Sequence, residues 1–65
     1  MKRMEKARDI KSGEIVHDRG IRFIIKEVWF GMEPNRLGFL DIEGLWHGNY
    51  HPDEYLGVGE VLELN

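Results

Sequence analysis

The stretch "IRFIIKEVWF", residues 21–30, is the longest strand candidate in the chain, because it is rich in β-branched and aromatic residues, which favour strands. Apolar residues of its first half recur at positions 21, 23 and 25, which share one face of an ideal strand. Glu27 interrupts that face, and Val28 and Phe30 then fall on the opposite one. A strand that exchanges its buried face usually contains a bulge or a bend. We predict one at Lys26 and Glu27.

Turn signals on both sides of this strand divide the chain into short segments. The Asp-Arg-Gly sequence at 18–20 predicts a tight turn, and Glu43 and Gly44 between two apolar runs predict a hairpin. Pro52 suits the first corner of a turn or the first residue of a short helix. The predicted elements are strands at 14–17, 21–30, 36–42, 45–50 and 59–64, with a helical turn at 52–55.

Five short strands with tight turns predict an all-β protein, and we expect a small five-stranded SH3-like barrel with a short helical turn before the last strand. Closing the sheet would protect edges that so short a chain could not otherwise cover. The stretch "GLWHGNY", 44–50, resembles the GLFPSNY-type stretch of SH3 domains, which agrees with this fold. His47 and Gly48 stand where that family has its groove proline and a small residue, so we do not expect a groove for proline-rich peptides.

The composition argues against catalysis. The chain of 65 residues has no cysteine and no threonine, and its single serine is Ser12. Asp53 and Glu54 could in principle work as an acid and base pair, but a solvated turn offers no desolvation to tune them. We therefore expect no enzymatic activity and no cofactor. The absence of cysteine and of a long apolar run predicts a soluble, cytoplasmic protein with no membrane contact.

The charges are unevenly distributed. Residues 1–11 carry five cations and two acids, a net charge of +3, whereas residues 12–65 carry four cations and ten acids, a net charge of −6. This asymmetry predicts a flexible basic arm at 1–8 and a single acidic domain at 9–65.

Two histidines and an acid raise the question of a metal site. His47, His51 and Asp53 give the spacing H-x3-H-x-D, and these residue types bind zinc. In an extended strand, however, residues four apart are separated by about 13 Å along the axis, too far for two ligands of one ion. We therefore predict no metal site and interpret these residues as polar positions on a strand and a turn.

A broader resemblance covers residues 7–64. The segments "ARDIKSGEIV", "RFIIKEV", "RLGFLDIEGLWH" and "HPDEYLGVGEVLEL" resemble small uncharacterised proteins encoded by actinobacterial phages, which share a β-meander, a D-x-x-G hairpin and a P-D-E turn before the last strand. The resemblance implies a non-enzymatic phage protein that acts on a host protein in the host cytoplasm. It carries no catalytic residues.

These observations favour a protein-binding module. A small core cannot enclose all seven aromatic residues, and those left outside would anchor a protein partner, with the domain itself a monomer or a weak homodimer. The less favoured alternative is a nucleic-acid-binding barrel that tracks phosphates with its arm. The candidate binding residues are Trp29, Phe30, Trp46, Tyr50 and Tyr55 for a protein, and Lys2, Arg3, Lys6 and Arg8 for a nucleic acid.

Overall fold

The computed structural model describes residues 3–32 and 35–59, and it is all-β apart from one short 3-10 helix. The last predicted strand, 59–64, lies outside the described residues except for Gly59. The described elements are β1 (Arg3–Lys6), the 3-10 helix (Ala7–Asp9), β2 (Ile15–Asp18), β3 (Ile21–Met32), β4 (Arg36–Asp41), β5 (Trp46–Tyr50) and β6 (Tyr55–Val58).

The six strands form one sheet in the order β1-β6-β2-β3-β4-β5, and each pairing is antiparallel. β3 belongs to both halves of the sheet, because its first part pairs with β2 and its second part with β4. The predicted bend in β3 is confirmed: Ile25 pairs with Asp41 and Glu27 with Leu40, which leaves Lys26 as an extra residue. This bulge lets one strand present apolar side chains to the core on both sides of the phase change.

The predicted closed barrel is wrong. Within residues 3–32 and 35–59 the sheet has six strands rather than five, and its outer strands do not meet, because β1 pairs with β6 and β5 pairs with β4. Residues 3–6, predicted as part of a flexible arm, form a strand along one edge of β6. The backbone groups that a closing strand would have used on β6 are therefore already paired.

The helical turn predicted at 52–55 is also replaced by a different structure. The backbone N–H of Glu54 donates to the carbonyl of His51 at 3.0 Å, which closes a β-turn, and β6 begins at Tyr55. Pro52 occupies the first corner of that turn, which is one of the two positions predicted for it.

The helical turn that does form lies near the amino terminus. The backbone N–H groups of Ala7 and Arg8 donate to the carbonyls of Glu54 and Pro52, at 2.8 and 3.0 Å. Ala7 is fully buried. These contacts hold the 3-10 helix against the turn before β6.

Both predicted hairpin turns are present. Arg19 and Gly20 link β2 to β3 with positive φ angles of 52° and 79°, as a type I′ turn requires. Gly44 has a φ of +85° in the turn between β4 and β5.

The core lies on one face of the sheet, with Phe39 of β4 near its centre. The Phe39 ring is 6.4 Å from that of Phe23 and 5.4 Å from that of Tyr50, between centroids. Truncating a buried phenylalanine costs about 3–5 kcal/mol, a large part of the stability of a small domain. The buried hydrophobic residues are Ala7, Ile10, Val16, Phe23, Ile25, Leu37, Phe39, Tyr50, Leu56 and Val58.

Candidate functional site

Two tryptophans lie together on the face of the sheet opposite the core. Val28 pairs with Phe39 and points to the core, so the next pair in the register, Trp29 and Gly38, faces outward. Trp46 of β5 joins them from the other side of β4. Trp29 and Trp46 are 53% and 44% exposed. We call these two residues the tryptophan pair.

Glycines make room for one member of this pair. A Cβ added to Gly38 would lie 2.7 Å from Cη2 of Trp46, closer than side-chain atoms pack, and one added to Gly48 would lie 3.0 Å from its Nε1. The Trp46 indole therefore rests directly on the backbone of β4 and β5. One side of the ring is covered by the sheet, and the other faces solvent.

The second tryptophan stands upright beside the first. The rings of Trp29 and Trp46 are 6.1 Å apart between centroids and inclined at 89°, an edge-to-face arrangement. The Nε1–H of Trp29 donates to Oε1 of Glu27 at 3.0 Å, which fixes the orientation of its ring. Two perpendicular indoles and one carboxylate thus form a corner on the outer face, which we call the tryptophan corner.

The other candidate binding residues are not part of this corner. Phe30 is 62% exposed and follows Trp29 in a stretch of β3 where the register with β4 shifts. Tyr55 is 59% exposed but lies in β6, two strands away from β3 in the sheet order. The structure brings Trp29 and Trp46 together and leaves Tyr55 on another part of the surface.

Tyr50 belongs to the core. Its ring packs against Phe39, and its hydroxyl donates to Oδ2 of Asp18 at 2.7 Å. Burial, and secondly the bond to Asp18, raise the pKa of Tyr50 well above its ordinary value of 10.0. Alternation alone places Tyr50 and Trp46 on one face, but β5 carries an extra residue between its pairings with Leu37 and Phe39. That irregularity moves them to opposite faces.

His47 and Asp41 form a hydrogen-bond network between β4 and β5. Nε2–H of His47 donates to Oδ2 of Asp41 at 2.8 Å, and the imidazole stacks on Phe23 with 3.6 Å between ring centroids. The backbone N–H groups of Glu43 and Leu45 both donate to Oδ1 of Asp41 at 2.9 Å. The bond from His47, with help from these two, lowers the pKa of Asp41 despite its burial. This network fixes the hairpin between β4 and β5.

The H-x3-H-x-D residues do not converge. His51 lies in the turn before β6, where its Nδ1 accepts a hydrogen bond from the backbone N–H of Asp53 at 3.1 Å. His47 lies in β5 and is hydrogen-bonded to Asp41 of β4. Within residues 3–32 and 35–59, no group of three or more histidine and acidic side chains is arranged to hold a metal ion.

The basic residues proposed for nucleic-acid binding are largely neutralised by the protein's own acids. Arg3 contacts Glu5 and Glu14 at 2.6 and 2.7 Å. Arg8 forms an ion pair with Asp53, and Lys6 lies 3.9 Å from the same carboxylate. Lys2 lies outside the described residues. Phosphates would have to compete with these carboxylates, so this geometry does not favour a nucleic-acid ligand.

Gly38 and Glu27 were not predicted as site residues, although the sequence contains a signal for each of them. A glycine inside the strand pattern "RLGFLD" is a signal of close approach by another group, here the Trp46 ring. Glu27 has a weaker signal, because its bond to Trp29 depends on both side chains leaving the same face of β3 two residues apart.

Comparison with protein-family models, curated proteins and solved structures finds no match to this chain. No helix within the described ranges has the length and hydropathy needed to cross a bilayer. The tryptophan corner is therefore the feature from which a function is inferred.

Proposed function

We propose that the protein is a small non-enzymatic binding module that holds a protein partner through the tryptophan pair. The single observation that carries this proposal is the placement of two half-exposed indoles, Trp29 and Trp46, in contact with one another on the outer face. Tryptophan is among the residues that contribute most to binding energy in protein interfaces. A rigid pair loses little conformational entropy when a partner covers it.

The neighbouring glycines support a binding role over a purely structural one. Gly38 is buried beneath the Trp46 ring, and glycine lowers the strand propensity of β4. Trp46 nevertheless stays 44% exposed, so only part of its apolar surface is buried within the domain. A partner that covers Trp46 would bury the surface that the domain itself leaves exposed. From the resemblance to phage proteins, we propose a host protein in the host cytoplasm as the partner class.

The test is capture of partners by the tagged protein from host lysate treated with nuclease. Trp29→Ala and Trp46→Ala should each abolish capture of a specific protein and leave the domain folded, as judged by its amide NMR spectrum. Tyr55→Ala is the matched control, because Tyr55 is an aromatic residue at least as exposed as the two tryptophans but lies elsewhere on the surface. Full capture by both tryptophan variants would refute the proposal. Sedimentation of the purified protein alone would show whether the same face forms a weak homodimer.

A further inference from the structure

The tryptophan corner has the chemistry of a cation site. The exposed face of Trp46 and the upright ring of Trp29 present electron-rich surfaces at 89° to one another. Such faces attract cations, with tryptophan the strongest of the aromatic side chains. The carboxylate of Glu27 is tied to the same corner by its 3.0 Å bond from Trp29. Two π-faces and an anion together select a positively charged group.

The protein's own cations leave the Glu27 carboxylate available. Among the described residues, the carboxylates in ion pairs with lysine, arginine or histidine belong to five other acids, and Glu27 is exposed. Its hydrogen bond from Trp29 uses one oxygen, Oε1. The five paired acids are Glu5, Glu14, Asp18, Asp41 and Asp53.

Arginine fits this corner better than other biological cations. A guanidinium is planar, so it can stack on the open face of Trp46, and its N–H groups can bond to the Glu27 carboxylate at the same time. A lysine ammonium is compact and strongly hydrated, and a trimethylated lysine has no N–H to donate to Glu27. The charge of the chain points the same way, because residues 37–65 contain six acids and no lysine or arginine.

We infer that the tryptophan corner seats an arginine side chain of the partner, stacked on Trp46 and hydrogen-bonded to Glu27. This inference rests on the proposed function and names the chemistry that the partner presents. A partner segment rich in arginine would combine this contact with long-range attraction to the acidic domain, which raises the rate of association.

The test is an NMR titration with short peptides, in which the two indole N–H signals report on the corner directly. An Arg-Gly repeat peptide should shift both signals in a saturable way. The same peptide with lysine should bind about 5-fold more weakly, and one with citrulline, which keeps the shape but loses the charge, about 10-fold more weakly. Equal binding of the citrulline peptide, or tighter binding of a trimethyl-lysine peptide, would overturn the inference.

Two variants with the same change of charge separate a local contact from a general field. Glu27→Gln should weaken the Arg-Gly peptide about 5-fold or more, whereas Glu43→Gln, at the exposed hairpin tip, should change it less than about 2-fold. Equal weakening by both variants would show that only net charge matters and would overturn the assignment. Arg36→Gln removes a cation that the register places on the same face as Gly38, and it should leave binding equal or tighter.

The captured partner distinguishes this inference from the proposed function. If capture is lost in Trp29→Ala but retained in full by Glu27→Gln, the binding module stands and the arginine assignment fails. If Trp29→Ala and Trp46→Ala both capture the partner in full while the Arg-Gly peptide still shifts the indole signals of the native protein, the proposed interface fails and the cation site stands.

Discussion

Gly38 is the residue on which the geometry of the tryptophan pair depends. We expect Gly38→Ala to destabilise the domain by about 1–3 kcal/mol, because the new Cβ would displace the Trp46 ring that rests on this position. In a Trp46→Thr background the same substitution should cost less than about 0.5 kcal/mol, because nothing is left to displace. Urea unfolding of the four proteins gives the coupling energy directly. Additive effects of the two substitutions would contradict the packing described for Trp46.

Asp41 is the residue whose ionisation supports the hairpin between β4 and β5. Because its pKa in the folded protein is lower than its ordinary value of 3.8, the unfolded chain binds more protons than the folded one in that range. The stabilisation is complete above this value and is lost as the pH falls through the folded-state pKa.

We therefore expect Asp41→Asn to be less stable than the native protein at neutral pH and to lose less stability on acidification. Urea midpoints measured between pH 2 and pH 7 check this. Glu43→Gln is the control, because it removes an exposed carboxylate from the same turn. If the urea midpoints of Asp41→Asn and the native protein fell equally with decreasing pH, the network around Asp41 would contribute nothing to the loss of stability in acid.

The turn between β2 and β3 offers a stabilising substitution at the scale of a single element. Arg19 adopts a φ of 52° there, which costs a residue with an ordinary side chain about 1 kcal/mol but suits asparagine. Its contact with Asp18, at 3.8 Å and with the Arg19 side chain 83% exposed, is worth little in return. Arg19→Asn should raise the free energy of unfolding by about 0.5 kcal/mol.

The measurement is a urea titration at constant ionic strength. Arg22→Asn, which makes the same change within β3, is the control and should be neutral or destabilising. A lower midpoint for Arg19→Asn would mean that the charge of Arg19 matters more than the strain of its backbone.

The elements show which parts of the fold can be predicted from local sequence. The bulge at Lys26 and the turns at Gly20 and Gly44 follow from the positions of a few residues, because phase changes and positive φ angles are local requirements. The side-chain direction of Tyr50 could not be obtained in this way. It depends on an extra residue in β5 that only the pairing with β4 reveals.

The strand order of the whole sheet could not be predicted from the sequence either, because it too depends on the pairing between strands. The sequence "RMEK" of β1 is mostly charged and contains no buried residue, and its role is to fill the edge of β6 with backbone hydrogen bonds rather than to bury side chains. Hydropathy does not report such a strand. The open sheet and the sixth strand follow from this one pairing.

At the scale of the whole molecule, the structure predicts that the amino-terminal strand supports stability. Deleting residues 1–6 should lower the Tm by roughly 10 °C, because β6 loses a partner and its edge becomes exposed. It should also promote self-association, measurable by light scattering. The double variant Arg3→Gln/Arg8→Gln keeps the strand and removes exposed ion pairs, so it should cost less than about 1 kcal/mol. An unchanged Tm after deletion would show that the segment is a frayed arm.

The position of β6 between β1 and β2 also sets an order of events during biosynthesis. β2 to β5 are sequential neighbours separated by only a few residues each, so they can pair as they emerge from the ribosome. Arg3 must wait for Val58, its partner in the register. β1 precedes the other described strands in the chain and is thus the last of them to be protected, and a nascent chain halted before β6 would leave it accessible to proteases or chaperones.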